Sequence, residues 1–324
     1  MMSRHGLTRA LSIHADYQCR HAGACCTVGW PIAVDPALRT RLEAALEEDL
    51  LAPAGPPAHR RVFLEPADGA GALLAVTRAG GCVFFDQTGE RLCEIHRHLG
   101  AGFLPPSCRH FPRVALLDPR GVSITLSHYC PTAAGMLFRD VPPLAIVENP
   151  AAFPADAEYE GFDARDVLPP LLRPGLLWDL EGYSVWEREA VALLAREEGT
   201  PERALAALRR GAEAIERWTP RGGDLSGHVR AVFAGLAAAR RPPEVRSVPH
   251  ARVFTRYLAA KLFASWVPYR ADRLTSLIDA LDHAHALLIG EISRRSADPA
   301  HLSRDALLES IRATDFRIVH GTSA

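Results

Sequence analysis

The residues of this sequence best suited to chemistry are its seven cysteines, and all of them lie within the first 130 of its 324 residues. Thiolates are soft ligands, so clustered cysteines in a reducing compartment are typical of zinc sites and iron–sulfur clusters. An odd number of cysteines argues against a complete disulfide framework. The set comprises Cys19, Cys25, Cys26, Cys82, Cys93, Cys108 and Cys130. We therefore predict that these thiols form a metal centre.

The spacing of the cysteines predicts that the ligands come from several separate segments. Cys19 precedes the adjacent pair by five intervening residues, and the intervals after Cys82 are 10, 14 and 21 residues. None of these matches the short C-x-x-C knuckles of structural zinc sites or the ferredoxin pattern. A tetrahedral ion or a four-iron cluster needs four ligands, which leaves three thiols for a second centre, for catalysis or for no chemistry. The alternative is scattered thiols that pack as small hydrophobic side chains.

The adjacent pair Cys25–Cys26 sets a geometric condition on the centre. Neighbouring side chains of an extended backbone point to opposite faces. Both thiols can therefore reach one metal only if the backbone turns at this point. Otherwise they serve two different centres.

Histidines and arginines lie beside the cysteines and extend the candidate site. Any of the histidines could replace a thiolate ligand, although a surface or hydrogen-bonded histidine is the simpler interpretation of each one alone. Arg109 and Arg113, in SCRHFPR, could hold an anionic cofactor group such as a carboxylate. They could equally pair with an acidic residue, Asp86, Glu90 or Glu94. The histidines are His96, His98, His110 and His128, of which His96 and His110 are the stronger candidates.

A first predicted hairpin brings two of the cysteines together. The turn Asp86-Gln87-Thr88-Gly89 lies between the segments CVFF and RLCEI, and its glycine can accept positive φ. A hairpin folded there would place Cys82 near Cys93 across the two strands.

A second predicted hairpin ends close to the last cysteine, Cys130. In RVALLDPRGVSITLSHYC the turn is Asp118-Pro119-Arg120-Gly121, and apolar residues alternate with Ser and Thr from Val122 onward. This alternation predicts a half-buried strand that ends near Cys130. Pro131 then begins a helix, which places the Cys130 thiol at a helix N-terminus, where the dipole favours a thiolate.

Between these segments and at the end of the chain the sequence predicts further regular structure. Ile32 and Val34 indicate a short strand, and Asp35-Pro36 is a capping signal for a helix. Beyond residue 180 the pattern is helical, with a helix that begins at Thr200-Pro201. Two predicted apolar stripes are Leu205, Leu208, Ala212 and Ile215, and Leu274, Leu277, Ile278, Leu281 and Leu288. We predict an α+β fold in which a small loop-rich cysteine-cluster domain with short hairpins (1–145) precedes a mainly α-helical domain (146–324).

Composition and charge limit the function. The net charge is −1 and the sequence pI is about 6.9, so no global field attracts the chain to nucleic acid or to an anionic membrane. The basic residues are almost all arginine, and Lys261 is the only lysine. The first residues lack the apolar segment of a secretory signal, and no uncharged apolar run reaches the ~18 residues of a membrane span. We expect a cytoplasmic protein, in which disulfides rarely persist.

The cysteine segments resemble the motifs of the flagellin lysine-N-methylase family. The match covers about residues 17–140. A broader family of cysteine-cluster proteins, described as zinc- or iron-chelating, shares the CC and C-R-x-F-P elements. The matching stretches are YQCRHAGACCTVGWPIAVD (17–35), Cys93–His96 followed by Gly100, the L-x3-C-R-x-F-P-R of Leu104–Arg113, and the S-x-x-C-P-x-A-A of Ser127–Ala134. The family also has an N-Y-L motif in a late helical segment, and Arg256 stands here at the position of its Asn.

The resemblance implies S-adenosylmethionine-dependent methylation of lysine side chains on flagellin or a similar protein. It implies an iron–sulfur cluster, of the 4Fe–4S type, or zinc, held by the seven cysteines. Methyl transfer needs a neutral amine in line with the sulfonium methyl, so we expect a desolvated cleft with an acidic or aromatic residue. Tyr129, beside Cys130, is the catalytic candidate. The alternatives are a non-enzymatic zinc- or iron-binding module that mediates protein interaction, and a redox or cluster-carrier protein.

Overall fold

A computed structural model of the chain describes residues 6–54, 61–65, 71–86, 92–140, 143–196, 200–238, 250–296 and 302–319. Helices and strands both occur in it, so the predicted α+β class is confirmed. The strands are β1 (Thr8–Leu11), β2 (Ala33–Val34), β3 (Phe63–Leu64), β4 (Ala72–Leu74), β5 (Arg113–Asp118), β6 (Gly121–Leu126), β7 (Ile146–Glu148), β8 (Phe162–Asp163), β9 (Leu171–Arg173) and β10 (Leu176–Leu177). The helices are α1 (Pro36–Glu47), α2 (Glu94–Leu99), α3 (Pro106–His110), α4 (Pro131–Met136), α5 (Leu180–Leu194), α6 (Pro201–Glu216), α7 (Leu225–Ala238), α8 (Ala251–Leu262), α9 (Val267–Arg270), α10 (Thr275–Arg295) and α11 (Arg304–Val319).

The largest sheet has the strand order β7-β1-β6-β5-β8. The predicted hairpin of β5 and β6 is confirmed, with Asp118 opposite Gly121 at its turn. Gly121 has φ of 116°, and a Cβ atom at this position would lie 2.4 Å from the carbonyl oxygen of Leu7. Only glycine fits there, because β1 approaches β6 closely and runs parallel to it.

The prediction that β6 is half-buried is wrong, because β6 is covered on both faces. Ser123 is fully buried and its hydroxyl accepts a hydrogen bond from Arg9 on β1. Thr125 is also buried, and its hydroxyl donates to the carbonyl of Ala260 on α8 at 2.9 Å. The alternation predicted a solvent-facing side, but these hydrogen bonds allow the polar residues to lie inside.

A smaller sheet, β2-β4-β3, carries the segment around the cysteine pair. The predicted short strand and the capping of α1 are confirmed. The Asp35 side chain accepts a hydrogen bond from the Leu38 backbone N–H at 2.8 Å, and Pro36 is the first residue of α1.

The first predicted hairpin forms only as a single bridge between its two arms. Phe85 and Cys93 make a single antiparallel bridge, and the Glu94 N–H donates to the Phe84 carbonyl at 2.8 Å. The chain then turns directly into α2 at Glu94, so the prediction that RLCEI continues as a strand is wrong. Part of the predicted turn, from Gln87 to Gly89, lies outside the described residues.

The predicted helical region after residue 180 is confirmed, and both predicted apolar stripes are buried. Helices α5, α6, α8 and α10 pack around a core that also receives Leu11, Ile13 and Leu116 from the sheet side of the molecule. Strands β7 and β8, from beyond residue 145, join the large sheet beside β1 and β5. The division at residue 145 stays a prediction.

A buried ionic network fastens the sheet to α5. The Glu187 carboxylate receives Arg9 from β1 at 3.1 Å and Arg120 from the β5–β6 turn at 3.3 Å. Arg120 also pairs with Asp118 at 2.6 Å, and the Tyr269 hydroxyl donates to that carboxylate at 3.0 Å. Each buried charge therefore has a partner of opposite sign.

No helix in the part of the chain that the structure describes is long and apolar enough to cross a membrane.

Candidate metal centre

All seven cysteines line a single cavity of about 190 Å³. The cavity lies where the segment around the cysteine pair meets α2, α3 and the end of β6. Its lining also includes Tyr17, His96 and Phe111. The structure therefore brings together thiols that are up to 111 residues apart in the sequence, from Cys19 to Cys130.

The geometric condition on the adjacent pair is met by a turn of the backbone. Residues Ala24–Cys26 form one 3₁₀ turn that follows Gly23, whose φ is 70°. The turn places the Cys25 and Cys26 sulfur atoms 4.0 Å apart and directs both into the cavity. Both thiols can therefore serve one centre.

A backbone hydrogen bond holds Cys82 against this turn, and helix ends position the next two cysteines. The Cys82 N–H donates to the Cys26 carbonyl at 2.7 Å, which joins two segments that are far apart in the sequence. Cys93 is the N-cap of α2, and Cys108 lies in α3, which begins at Pro106.

The remaining two cysteines lie on another side of the cavity. Cys130 is buried at the N-cap of α4, as predicted, and its sulfur lies 3.9 Å from the Tyr17 hydroxyl. Cys19 is exposed, and its sulfur accepts a hydrogen bond from the His21 N–H at 3.4 Å.

Hydrogen bonding among the thiols favours ionisation of two of them. The Cys26 thiol donates to Cys93, and this bond lowers the pKa of Cys93 to about 7. The same donor lowers the pKa of Cys25, and these two bonds raise the pKa of Cys26 itself. The pair thus consists of one thiol that ionises readily and one that keeps its proton.

Burial opposes ionisation of the other thiols nearby. Desolvation, followed by repulsion from Cys93 and Cys25, raises the pKa of Cys82 to about 12. Desolvation and the charges of three neighbouring thiols also raise the pKa of Cys108. Burial therefore favours the neutral thiol at Cys82 and Cys108.

The cavity fits a metal in the type of its donors, which are thiols, and not in their present arrangement. No group of three or more His, Cys, Asp or Glu side chains among the described residues is arranged to hold a metal ion. Four sulfurs around one zinc ion at 2.3 Å lie about 3.8 Å apart, and the Cys25–Cys26 separation of 4.0 Å is close to that value. In a multi-iron cluster each thiolate binds its own iron, so wider spacing is compatible with it.

Of the four candidate histidines, only His96 lines the cavity. Its ring lies 4.3 Å from that of His21, and burial lowers the pKa of His96. His98 instead contacts Glu94 at 3.1 Å, and His110 contacts Glu160 at 3.4 Å. His128 is fully buried, 3.3 Å from His14 between their Nε2 atoms.

Both candidate arginines line the cavity. Among the described residues no carboxylate forms an ion pair with Arg109 or Arg113, and Arg113 donates to the Arg109 carbonyl at 3.3 Å. Glu94 is paired with Arg97 and His98 instead. Glu90 lies outside the described residues. The Arg113 guanidinium lies over the rings of Tyr17 and Phe153, each at 5.8 Å, and the anion-binding role of both arginines stays a prediction.

Tyr129 is not among the residues that line the cavity. Its hydroxyl lies 3.3 Å from the Thr27 hydroxyl, just after the cysteine pair. Its ring lies 5.0 Å from that of Phe316 on α11, and Arg312 on the same helix is stacked over it at 5.5 Å. Through these contacts Tyr129 connects α11 with the segment that carries Cys25 and Cys26.

A larger groove of about 940 Å³ adjoins the thiol cavity, and Phe111 and Arg113 line both. The groove runs between the β5–β6 hairpin and the segment from Lys261 to Ala271. Aromatic side chains from Trp30 and Trp266 line it, together with Lys261 and Glu160. It provides a mainly apolar surface next to the thiols.

The comparisons with known proteins leave the family open. No family model, curated protein or solved structure matches this chain. The resemblance of the cysteine motifs to the flagellin lysine-N-methylases thus stays a prediction from the sequence.

Sequence reasoning missed a buried polar cluster that holds the Ser127–His128 segment, which leads to Cys130. The Asp315 carboxylate on α11 receives Lys261 and Tyr257 from α8 on one oxygen and the Ser127–His128 segment on the other. Burial opposes ionisation, but the charge of Lys261 and the hydrogen bonds from Lys261 and the His128 N–H outweigh it and lower the pKa of Asp315. The only signal in the sequence was the single lysine in an arginine-rich chain.

Proposed function

We propose that the thiol cavity binds a metal centre, an iron–sulfur cluster of the 4Fe–4S type, and that the protein is a protein-lysine N-methylase acting on flagellin or a similar protein. One observation carries the metal part of this proposal, namely that seven cysteines from separate segments line one cavity. The methylase part rests on the resemblance of the cysteine motifs.

The seven cysteines supply more donors than one four-iron cluster requires, and they include two thiols whose ionisation is favoured. Such a cluster, when bound, supplies electron transfer or a Lewis-acidic iron. The surrounding apolar side chains would limit the access of solvent to it.

In this proposal S-adenosylmethionine and the lysine side chain meet in the groove beside the cavity. Arg109 and Arg113 would hold the carboxylate of the methyl donor, since neither has a carboxylate partner among the described residues. The aromatic lining would exclude water around the amine, which must be neutral to attack the methyl group. The Glu160 carboxylate lines the groove and could accept the amine proton. Tyr129, bonded to Thr27, would act by joining α11 to the cysteine segment.

The proposal assigns roles to the two predicted parts of the chain. The cysteine-cluster domain with its short hairpins (1–145) would build the centre, and the helical domain (146–324) would help to bind the partner protein. The protein would act in the cytoplasm, without nucleic acid or membrane partners.

The test begins with anaerobic purification of the full chain and analysis of iron, zinc and acid-labile sulfide. We expect iron and sulfide in equal amounts and a brown colour that dithionite bleaches. The loaded protein is then incubated with methyl-labelled S-adenosylmethionine and flagellin from the same source. Transfer of label to flagellin lysines supports the proposal, and its absence with fully loaded protein contradicts the methylase assignment.

A second candidate is a non-enzymatic zinc- or iron-binding module. The sulfur separation of 4.0 Å in the Cys25–Cys26 pair, close to that around one zinc ion, favours it. Stoichiometric zinc in a colourless protein would support this candidate in place of the methylase.

A further inference from the structure

The wall of the thiol cavity is built from two separate groups of packed side chains. Cys26 and Cys82 belong to an apolar cluster around Phe84, Phe85 and Ile95, and three further cysteines pack against its margin. Those three are Cys25, Cys93 and Cys108. Five of the seven thiols therefore share one apolar environment.

The other two thiols have different surroundings. Cys130 packs in a second cluster with Tyr17 and Phe153, under the β5–β6 hairpin. Cys19 is the one exposed cysteine of the seven and belongs to neither cluster.

Hydrogen bonds follow the same division. Within the first group the Cys26 thiol is bonded to Cys25 and Cys93, and the Cys26 carbonyl accepts from the Cys82 N–H at 2.7 Å. In the second group the partners are not thiols: the Tyr17 hydroxyl lies 3.9 Å from the sulfur of Cys130, and the His21 N–H donates to Cys19. No thiol–thiol hydrogen bond joins the two groups among the described residues.

A thiolate metal centre is stabilised by an apolar shell and by fixed donors, because both limit hydrolysis and exchange of its ligands. The first group has both properties, and its five thiols are enough for a four-ligand centre with one thiol left over as a hydrogen-bond donor. The second group includes the exposed Cys19. Arg113, which lines both the cavity and the groove, lies over the ring of Tyr17, the residue beside Cys130.

We infer that the metal is bound within the five-thiol group of Cys25, Cys26, Cys82, Cys93 and Cys108, and that Cys19 and Cys130 are not ligands but form the open side of the centre. This inference rests on the metal-binding part of the proposed function and is independent of methyl transfer. It differs from the prediction that all seven cysteines bind the metal, which the first experiment below also tests.

The first experiment changes each of the seven cysteines to serine in the full chain and measures metal and sulfide per chain after anaerobic purification. We expect at least four of the five variants in the first group to lose most of the metal, and Cys19→Ser and Cys130→Ser to keep the wild-type content. Cys130→Ala is added because a buried hydroxyl could itself disturb the fold, and circular dichroism checks that each variant is folded. Loss of metal from folded Cys19→Ser or Cys130→Ala to the level of Cys93→Ser would overturn the inference.

The second experiment treats the metal-loaded wild-type protein with iodoacetamide and maps the modified cysteines by mass spectrometry. Cys19 should be modified rapidly, while the five thiols of the first group stay protected until a chelator removes the metal. Modification of Cys93 and Cys108 as fast as Cys19 in loaded protein would contradict the inference.

These outcomes separate the inference from the proposed function. A wild-type protein that binds no metal would refute both. Metal bound with the predicted ligand pattern, but without methyl transfer, would refute the methylase and leave the ligand assignment intact.

Discussion

Replacement of Asp315 by asparagine should destabilise the protein strongly, because the carboxylate is buried and its acceptor capacity is fully used. A carboxylate offers about four lone-pair sites, and an amide oxygen offers about two. Asp315 accepts from the Ser127 hydroxyl at 3.1 Å, the His128 N–H at 2.5 Å, the Tyr257 hydroxyl at 3.3 Å, and the Lys261 ammonium. All four partners are donors, so the NH₂ group of asparagine would face at least one of them.

The size of the effect follows from these contacts. Two buried donors lose their acceptor, at about 1–3 kcal/mol each. Lys261, whose side chain is 12% exposed, also loses its counter-ion. Breaking a buried ion pair by removing one partner typically costs about 3–5 kcal/mol. These costs overlap, because Lys261 can be one of the two donors, so we take the ion-pair value and expect Asp315→Asn to lower the free energy of unfolding by about 3–5 kcal/mol.

The assay is urea unfolding of the variant and the wild type, followed by tryptophan fluorescence and by circular dichroism to test for a single transition. Asp272→Asn is the matched control, because Asp272 makes an ion pair with Arg273 at 3.2 Å with a side chain that is 62% exposed. That change should cost less than about 1 kcal/mol. Equal effects of the two substitutions would refute the reasoning.

The double variant Asp315→Asn with Lys261→Met separates the ionic part from the rest. Removing the uncompensated ammonium should recover part of the lost stability, so the two effects should fall short of additivity by about 1–3 kcal/mol. Full additivity would mean that Lys261 and Asp315 do not interact energetically.

Three further outcomes are expected. Glu187→Gln should lower the free energy of unfolding, measured in urea, by about 3–5 kcal/mol, because it leaves buried Arg9 without a counter-ion. The control Glu65→Gln changes a side chain that is 65% exposed and should cost under about 1 kcal/mol. Similar losses in the two variants would contradict this expectation. Burial lowers the pKa of His14 well below its ordinary value of 6.5. As the pH falls below 6.5, this histidine is therefore protonated in the unfolded chain but not in the folded protein. The free energy of unfolding should then decrease by up to about 1.4 kcal/mol per pH unit. His14→Gln should flatten this slope between pH 7.5 and 5.5. An unchanged slope would count against a neutral buried imidazole at this position. Gly121→Ala should lower the midpoint of thermal unfolding by several degrees, since its Cβ would lie 2.4 Å from the Leu7 carbonyl oxygen, and a wild-type midpoint would show that β1 can move away.

Local signals in the sequence were sufficient for elements that form from neighbouring residues. The Asp118–Gly121 turn predicted the β5–β6 hairpin, and the capping residues Asp35 and Thr200 marked the starts of α1 and α6. The segment around Cys93 shows the limit of such signals, because RLCEI was predicted as a strand and the chain enters α2 at Glu94 after a single bridge at Cys93.

Contacts between distant residues could not be predicted in this way. The parallel pairing of β1 with β6 joins residues more than 110 positions apart, and it explains why Ser123 is buried although it lies at a polar position. Asp315 lies 187 residues from His128, on a helix that local patterns did not single out. The clustering of the cysteines was foreseen because thiols are rare in this chain. Their division into a group of five and the pair Cys19 and Cys130 depends on side-chain packing, which no spacing rule describes.

The single lysine has a practical consequence for chemistry performed on this protein. Amine-directed reagents, such as activated esters for labelling or immobilisation, find one side-chain target in the whole chain, and that target is held in an ion pair between α8 and α11. Trypsin digestion will cut almost entirely after arginine. In a methyl-transfer assay the protein itself contributes one lysine at most. Label found at residue 261 would mean that Lys261, which also lines the groove, had left its ion pair with Asp315, and label on any other lysine would belong to the partner.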